Sequence, residues 1–342
     1  MCAGCTTLDY YSQAVGGQLE LWRKQASIAE LLAGRELSPD LRAKLELVLR
    51  ARAFAARQLM LDAHGSYARY VELGREFVVW NVFATPALSL EPYAWCYPLL
   101  GCLSYRGYFS ATAAAAAADT LRARGFDTFV GGVAAYSTLG WFDDPVTSAM
   151  LREDDTRIVE VIFHELAHAR FYVAGDTAFN EGFAMAVARA GIELWLADDV
   201  AAQTRYLAND AREQSFLALL REFHGALDGV FRAPGSAPDK RAEKARLYRE
   251  LQTRYRALTA AWPVPSPYDE WMAHDLNNAK LAALATYHRD VPAFLSILEA
   301  CNRDFSRFYA AVTVLARQSD RAQALAAAAR ARSCIGARRG RS

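Results

Sequence analysis

The chain has 342 residues, 39 Lys plus Arg against 38 Asp plus Glu and a formal net charge of +1, with 53% apolar and 23% charged residues. This balance excludes a disordered chain, which needs low hydrophobicity and high net charge, and shows none of the basic excess of a nucleic-acid binder. Six Cys are too few and too scattered for a disulfide scaffold, and the length suits one large domain.

Met1-Cys2-Ala3-Gly4-Cys5-Thr6-Thr7 opens the chain, and Ala3-Gly4-Cys5 matches the end of a bacterial lipobox. Cys5 is therefore the expected lipidation site, with residues 1–18 as an N-terminal segment and a membrane tether through the acylated Cys. A chain that starts at Met1 without a leader would instead stay cytoplasmic. From Leu19 to His64 apolar residues recur at three- and four-residue spacing, and Ser38-Pro39-Asp40 marks a fresh helix start, so an antiparallel helical hairpin is expected. Phe77–Phe83 and Gly101–Tyr105 are β-type runs bounded by Pro and Gly, and Thr128–Phe142 predicts two more short strands. Ala113–Ala118 predicts a plain helix stopped by Gly125. Helical patterning resumes at Thr156 and runs to about Ala316, and 317–342, rich in Arg, is expected as a frayed basic tail. The reading is α+β, predominantly α-helical, with one domain over 19–316 and a small β-sheet beside the helix described next.

That helix carries His164-Glu165-Leu166-Ala167-His168. Histidines four apart leave a helix on one face, at a spacing that suits two corners of a zinc tetrahedron. Glu165, next to the first, can reach a metal-bound water as general base without ligating the metal. A catalytic zinc site needs a third protein ligand. The metzincin positions hold Phe171 and Ala174, which excludes that class. Glu181, 13 residues after His168 and beyond the Gly175-Asp176 turn, falls near the start of a returning helix. It is preferred to Asp176 as third ligand because a helical position fixes the carboxylate, leaving Asp176 as a supporting acceptor. One zinc ion on His164, His168 and Glu181 is the expected cofactor.

His164–His168 together with Asn180-Glu181-Gly182-Phe183-Ala184 resembles the HExxH plus NExxA pattern of gluzincin metallopeptidases. Gly101–Phe109, Ala135–Pro145, Gly175–Glu181 and Leu276–Ala279 with Tyr287 are similar to a family of bacterial proteins regarded as zinc aminopeptidases and lipoproteins. The resemblance implies a zincin-like fold, metal-dependent cleavage of peptides, a periplasmic, lipid-anchored envelope location and a supporting role for Asn180. It also implies that Tyr136, Ser137, Thr138, Leu139 and Gly140 form an edge strand that pairs with an extended peptide; the alternative is an interior strand with Tyr136 and Trp141 as core aromatics. For the oxyanion the candidates are Tyr287, preferred, then Tyr105, Tyr108 and Arg106. A free α-amine needs acidic anchors, for which Glu160, Asp143 and Asp144 are candidates. His64, His224, His274 and His288 are expected to be surface or satisfied core histidines. Alternatives to the aminopeptidase are a zinc endopeptidase and a non-catalytic envelope binding protein with a structural metal; no nucleic-acid partner is expected.

Overall fold

The computed structural model describes residues 3–34, 36–97, 101–135, 138 and 143–335. The chain begins with α1 (Ala3–Lys24), a short strand β1 (Ala26–Ser27) and α2 (Ile28–Ala33). α3 (Pro39–Gln58) starts at the expected signal: Ser38 Oγ accepts from the Leu41 N–H at 3.2 Å, and Pro39 needs no partner in the first turn. A strand-rich stretch follows with β2 (Arg69–Val71), β3 (Val79–Pro86), β4 (Trp95–Tyr97), β5 (Gly101–Leu103) and β6 (Arg106–Tyr108). The alanine-rich run forms α4 (Ala111–Ala123), capped by Ser110 and followed by Gly125 at positive φ, then β7 (Phe126–Val133) and β8 (Val146–Thr147). Nine helices complete the described chain: α5 (Asp155–Arg170), α6 (Thr177–Trp195), α7 (Val200–Arg232), α8 (Ala237–Thr259), α9 (Asp269–Ala273), α10 (Asn278–His288), α11 (Val291–Ala300), α12 (Phe305–Ala316) and α13 (Arg321–Ala331). The fold is α+β and mostly helical, with three small sheets in the orders β1-β2-β8, β6-β3-β7 and β4-β5.

α6 is the centre of the helical half. Its residues from Phe179 to Ile192 are all buried, as an α-helix apolar on every side requires. α5 packs along it through Ile162, Phe163 and Leu166, α3 adds Val48 and Ala51, and α11 and α12 add Phe294 and Phe308. Each buried Phe is worth roughly 1.5–3 kcal/mol of transfer free energy, so this cluster fixes the α5–α6 pair before any site chemistry is considered. α7 and α8 form a second cluster around Phe216, Leu220, Phe223 and Leu251. The antiparallel sheet of β6, β3 and β7 buries one face, including Val82 and Ala84, against Ala114, Ala118 and Leu121 of α4. The opposite face carries Val79, Asn81 and Phe83 and lines a cavity.

Three expectations change, and a fourth falls largely outside the described residues. The Leu19–His64 hairpin is a short helix and a long one, α2 and α3, while α1 runs through residue 18 and turns instead to β6. The basic tail is not frayed over its described part. α13 buries Leu325 and Ala328, Arg321 pairs with Asp176 at 2.7 Å, and Cys334 is bonded to Cys301. Apolar contact on one helical stripe outweighs the tail's charge, and residues 336–342 lie outside the described chain. Four of the six Cys form disulfides, Cys96–Cys102 across the β4–β5 hairpin and Cys301–Cys334. They act as local clips on a chain that has an apolar core, which is why their sparse spacing did not read as a scaffold. Of the two strands expected in Thr128–Phe142, β7 is one; most of the other falls on 136–137 and 139–142, outside the described residues.

Candidate metal centre

α5 begins at Asp154, whose carboxylate accepts from the Arg157 N–H at 3.0 Å, and ends at Phe171, where the backbone turns extended. Ile158, Val159, Ile162, Phe163, Leu166 and Ala167 bury the face toward α6 and α3, so the helix cannot rotate. The remaining stripe, Arg157, Glu160, Val161, His164, Glu165 and His168, faces a cavity of about 690 Å³. The chain returns through Gly175, at φ +78, and α6 starts at Asp176, whose Oδ1 accepts from the Phe179 N–H at 3.2 Å. One turn into α6, Glu181 meets both histidines.

The three donor atoms converge. His164 Nε2 and His168 Nε2 are 3.1 Å apart, and Glu181 Oε2 is 3.2 Å from the first and 3.3 Å from the second. For metal–ligand bonds of about 2.0–2.2 Å, the corners of a tetrahedron lie about 3.3–3.6 Å apart, so these edges fit one ion with little adjustment. Among the described residues this is the one cluster of three or more His, Cys, Asp or Glu side chains able to hold a metal. Nitrogen, nitrogen and carboxylate oxygen is a donor set that suits zinc. Electrostatics in the metal-free chain agree with the geometry. Burial alone would raise the Glu181 carboxyl, but His168 and His164 beside it bring its pKa down to about 2. Burial disfavours a charged His168, yet the Glu181 carboxylate outweighs it and raises the pKa above the ordinary value.

The other expected site residues are placed as follows. Glu165 and Tyr287 line the cavity with the three donors. The Tyr105 hydroxyl donates to Glu181 Oε1 at 3.4 Å, Tyr287 packs on the same small apolar cluster, and burial with neighbouring carboxylates pushes both phenols well above their ordinary range. Asn180 does not touch the donors. Its carboxamide accepts from the Val173 N–H and donates to the Val173 carbonyl, both at 2.8 Å, which clamps the α5–α6 turn. Asp176 caps α6 through one oxygen and pairs with Arg321 through the other, so it supports the helix rather than an imidazole. Neither His164 Nδ1 nor His168 Nδ1 has a hydrogen-bond partner among the described residues.

Thr138 donates its N–H to Asp144 Oδ2 at 2.7 Å; Tyr136, Ser137, Leu139 and Gly140 lie outside the described residues, and so does the Cys5 side chain. Asp144 also takes part in a buried bond between its own N–H and Ser66 Oγ, so it organises that turn and does not line the cavity. Asp143 packs on Gly65, whereas Glu160 does line the cavity and pairs with Arg157 at 2.6 Å. Tyr108 and Arg106 surround Tyr10 of α1, with the guanidinium 3.6 Å from its ring centroid. His64 is exposed, and burial pushes the His288 pKa down to about 4.

Two contributions escaped sequence reasoning. Arg157 is a cation on the cavity wall, signalled only by its place one turn before Glu160 and Val161. Asn81 is a polar residue in the middle of an apolar β-run, where Asn is ordinarily depleted.

Two histidines and a glutamate from a helix pair converge at the wall of a cavity that Glu165 also lines, an arrangement able to hold a metal ion. The chain belongs to the family described as "Putative aminopeptidase", which it matches over residues 9–326. No curated protein and no solved structure matches it.

Proposed function

We propose that the chain is a zinc-dependent peptidase of zincin-like, gluzincin type, acting as an aminopeptidase. The observation that carries this is the convergence of His164 Nε2, His168 Nε2 and Glu181 Oε2 within 3.1–3.3 Å of one another, with Glu165 on the same cavity wall. Zinc held there supplies Lewis acidity toward a water and toward the scissile carbonyl. Glu165 takes the proton from the attacking water and delivers it to the leaving amine. Tyr287, aimed into the cavity with its hydroxyl kept protonated by burial, donates to the developing oxyanion. Tyr105 steadies Glu181.

The aminopeptidase reading has support from the family description and from the acidic end of the cavity. Glu153 lines it on the side that precedes α5, where a substrate ammonium could be held, with Glu160 beside it in its pair with Arg157. Zinc sites that are purely structural are closed by four protein ligands, and Glu165 has no task in one. We further propose a cell-envelope location with a tether through acylated Cys5. Two disulfides fit an oxidising compartment, and no helix among the described residues is long and apolar enough to cross a membrane.

The test is metal content together with hydrolysis of aminoacyl and amino-blocked fluorogenic peptides, wild type beside Glu165→Gln. About one zinc per chain is expected in both proteins. Cleavage of the unblocked substrates should drop about 10²–10⁴-fold in the variant. Cleavage of blocked peptides alone would replace the aminopeptidase by an endopeptidase. Undiminished activity in Glu165→Gln would remove the mechanism.

A further inference from the structure

One polar group in the cavity has no counterpart in the chain. Asn81 sits mid-way along β3 on the face shared by Val79 and Phe83, and all three line the cavity. The residue as a whole is only 6% exposed, yet Oδ1 and Nδ2 are not sealed off: the carboxamide makes no hydrogen bond among the described residues and opens onto the cavity. A polar group that the fold itself does not use, in an otherwise apolar stretch of strand, is available to whatever enters the cavity.

The sheet keeps space around it. Register places Gly107 of β6 directly across on one side and Gly131 of β7 on the other. A Cβ at Gly107 would come within 3.1 Å of Asn81 Oδ1 and 2.9 Å of Val79 Cγ1, and one at Gly131 within 3.1 Å of the Phe129 ring. Neither glycine has a positive φ, so room rather than backbone conformation is what the missing side chains provide. Beyond this clearing the wall is apolar, with Val133 opposite Val79 and Phe129 opposite Phe83.

The position relative to the metal donors follows along the strand. Phe83, about 7 Å further on, packs at a tilt on Tyr105 with 5.4 Å between centroids, and Tyr105 reaches Glu181. The cavity's chemistry narrows the ligand. Arg157 is the one Lys or Arg side chain on the described wall and is paired with Glu160. A carboxamide offers one acceptor and two donors, which match a secondary amide.

We propose that Asn81 is a substrate-positioning residue that binds the main chain of the substrate along the cavity wall. Its Oδ1 accepts from a peptide N–H and its Nδ2 donates to a peptide carbonyl, with the flanking glycines giving the substrate backbone access. The assignment rests on the peptidase reading and deepens it.

The probe is the tetrapeptide Ala-Phe-Ala-Ala with an amidated C-terminus, together with analogues in which an ester replaces each internal amide in turn. They are titrated calorimetrically into zinc-loaded Glu165→Gln, alone and combined with Asn81→Leu or Asn81→Ala. Both added substitutions should weaken the all-amide peptide about three- to tenfold. One ester analogue should lose a similar factor against Glu165→Gln and nothing further against the double variants. Asn81→Leu should also melt no lower than its parent, because the carboxamide makes no hydrogen bond among the described residues; a lower melting temperature would assign Asn81 to the fold instead. Equal affinity with and without Asn81, or ester and Asn81 losses that simply multiply, would overturn the anchor while leaving the peptidase reading intact. Failure of Glu165→Gln to bind any of the peptides would overturn both.

Discussion

Two tyrosines sit beside the donor cluster, and their contacts assign them different work. Tyr105 touches Glu181 at 3.4 Å, whereas Tyr287 contacts Tyr105 and the open cavity. A hydroxyl that orients a ligand acts on metal affinity, while one that meets a developing charge acts on rate. Tyr105→Phe should therefore weaken zinc binding about tenfold, read by competition with a chelator, with a smaller effect on kcat at saturating zinc. Tyr287→Phe should lower kcat about 10²–10³-fold while zinc affinity stays at the wild-type value. If the two variants exchange these signatures, the roles are reversed.

At the scale of elements, the site depends on where the β4–β5 hairpin meets the start of α6. Gly101, at φ +73, lies against the next glycine-bearing turn, and a Cβ there would fall 2.5 Å from Gly175 N. Just beyond it, the Ser104 N–H donates to Thr177 Oγ1 at 3.4 Å in the first turn of α6. Gly101→Ala should cost about 1–3 kcal/mol in denaturant unfolding, from both the strained φ and the forced separation of two backbones. Because the displaced turn leads directly to Glu181, zinc affinity should fall in the same variant; a neutral result in both assays would show that the hairpin is not part of the site's support. Breaking Cys301–Cys334 with Cys301→Ser should cost about 2–4 kcal/mol, and less than about 1 would mean that α13 docks without it.

The same elements show what the sequence could and could not disclose. His164, His168 and Glu181 were legible because a helical repeat converts spacing into direction, and the turn at Gly175-Asp176 returns the chain beside itself. Asp176 was legible as a turn residue and Asn180 only as a supporting residue implied by resemblance, and neither in its partners, since Arg321 lies 145 positions away and Val173 is reached through the backbone. Asn81, Gly107 and Gly131 come together only through strand register, which local pattern does not specify. The docking of α13 was hidden for a related reason: two buried residues and one disulfide outweigh a charge pattern that read as solvent-exposed.

For the whole molecule, metal and protons compete for the same buried pair, and this sets how stability depends on pH. In the metal-free chain the Glu181 pKa is lowered to about 2 and the His168 pKa is raised above its ordinary value of 6.5. The lowered carboxyl contributes stability above its unfolded value of 4.5, lost as pH falls toward 2; the raised imidazole contributes below its unfolded value of 6.5, lost as pH climbs through the folded one. The charged pair thus supports the metal-free fold in mildly acidic solution and fades above neutrality. Zinc has the opposite demand, because it binds His168 only when neutral, and the raised pKa extends proton competition upward in pH. Zinc at about a hundredfold over its Kd adds about 2.7 kcal/mol to the folded state, and that Kd tightens as His168 loses its proton. The gap in melting temperature between zinc-loaded and chelator-treated protein should therefore widen from about pH 6 to about pH 8. His168→Ala should close the gap at both, since two remaining donors hold zinc far more weakly. A gap that is constant across this range in the wild type, or that survives in His168→Ala, would show that the stabilising ion sits elsewhere than on His164, His168 and Glu181.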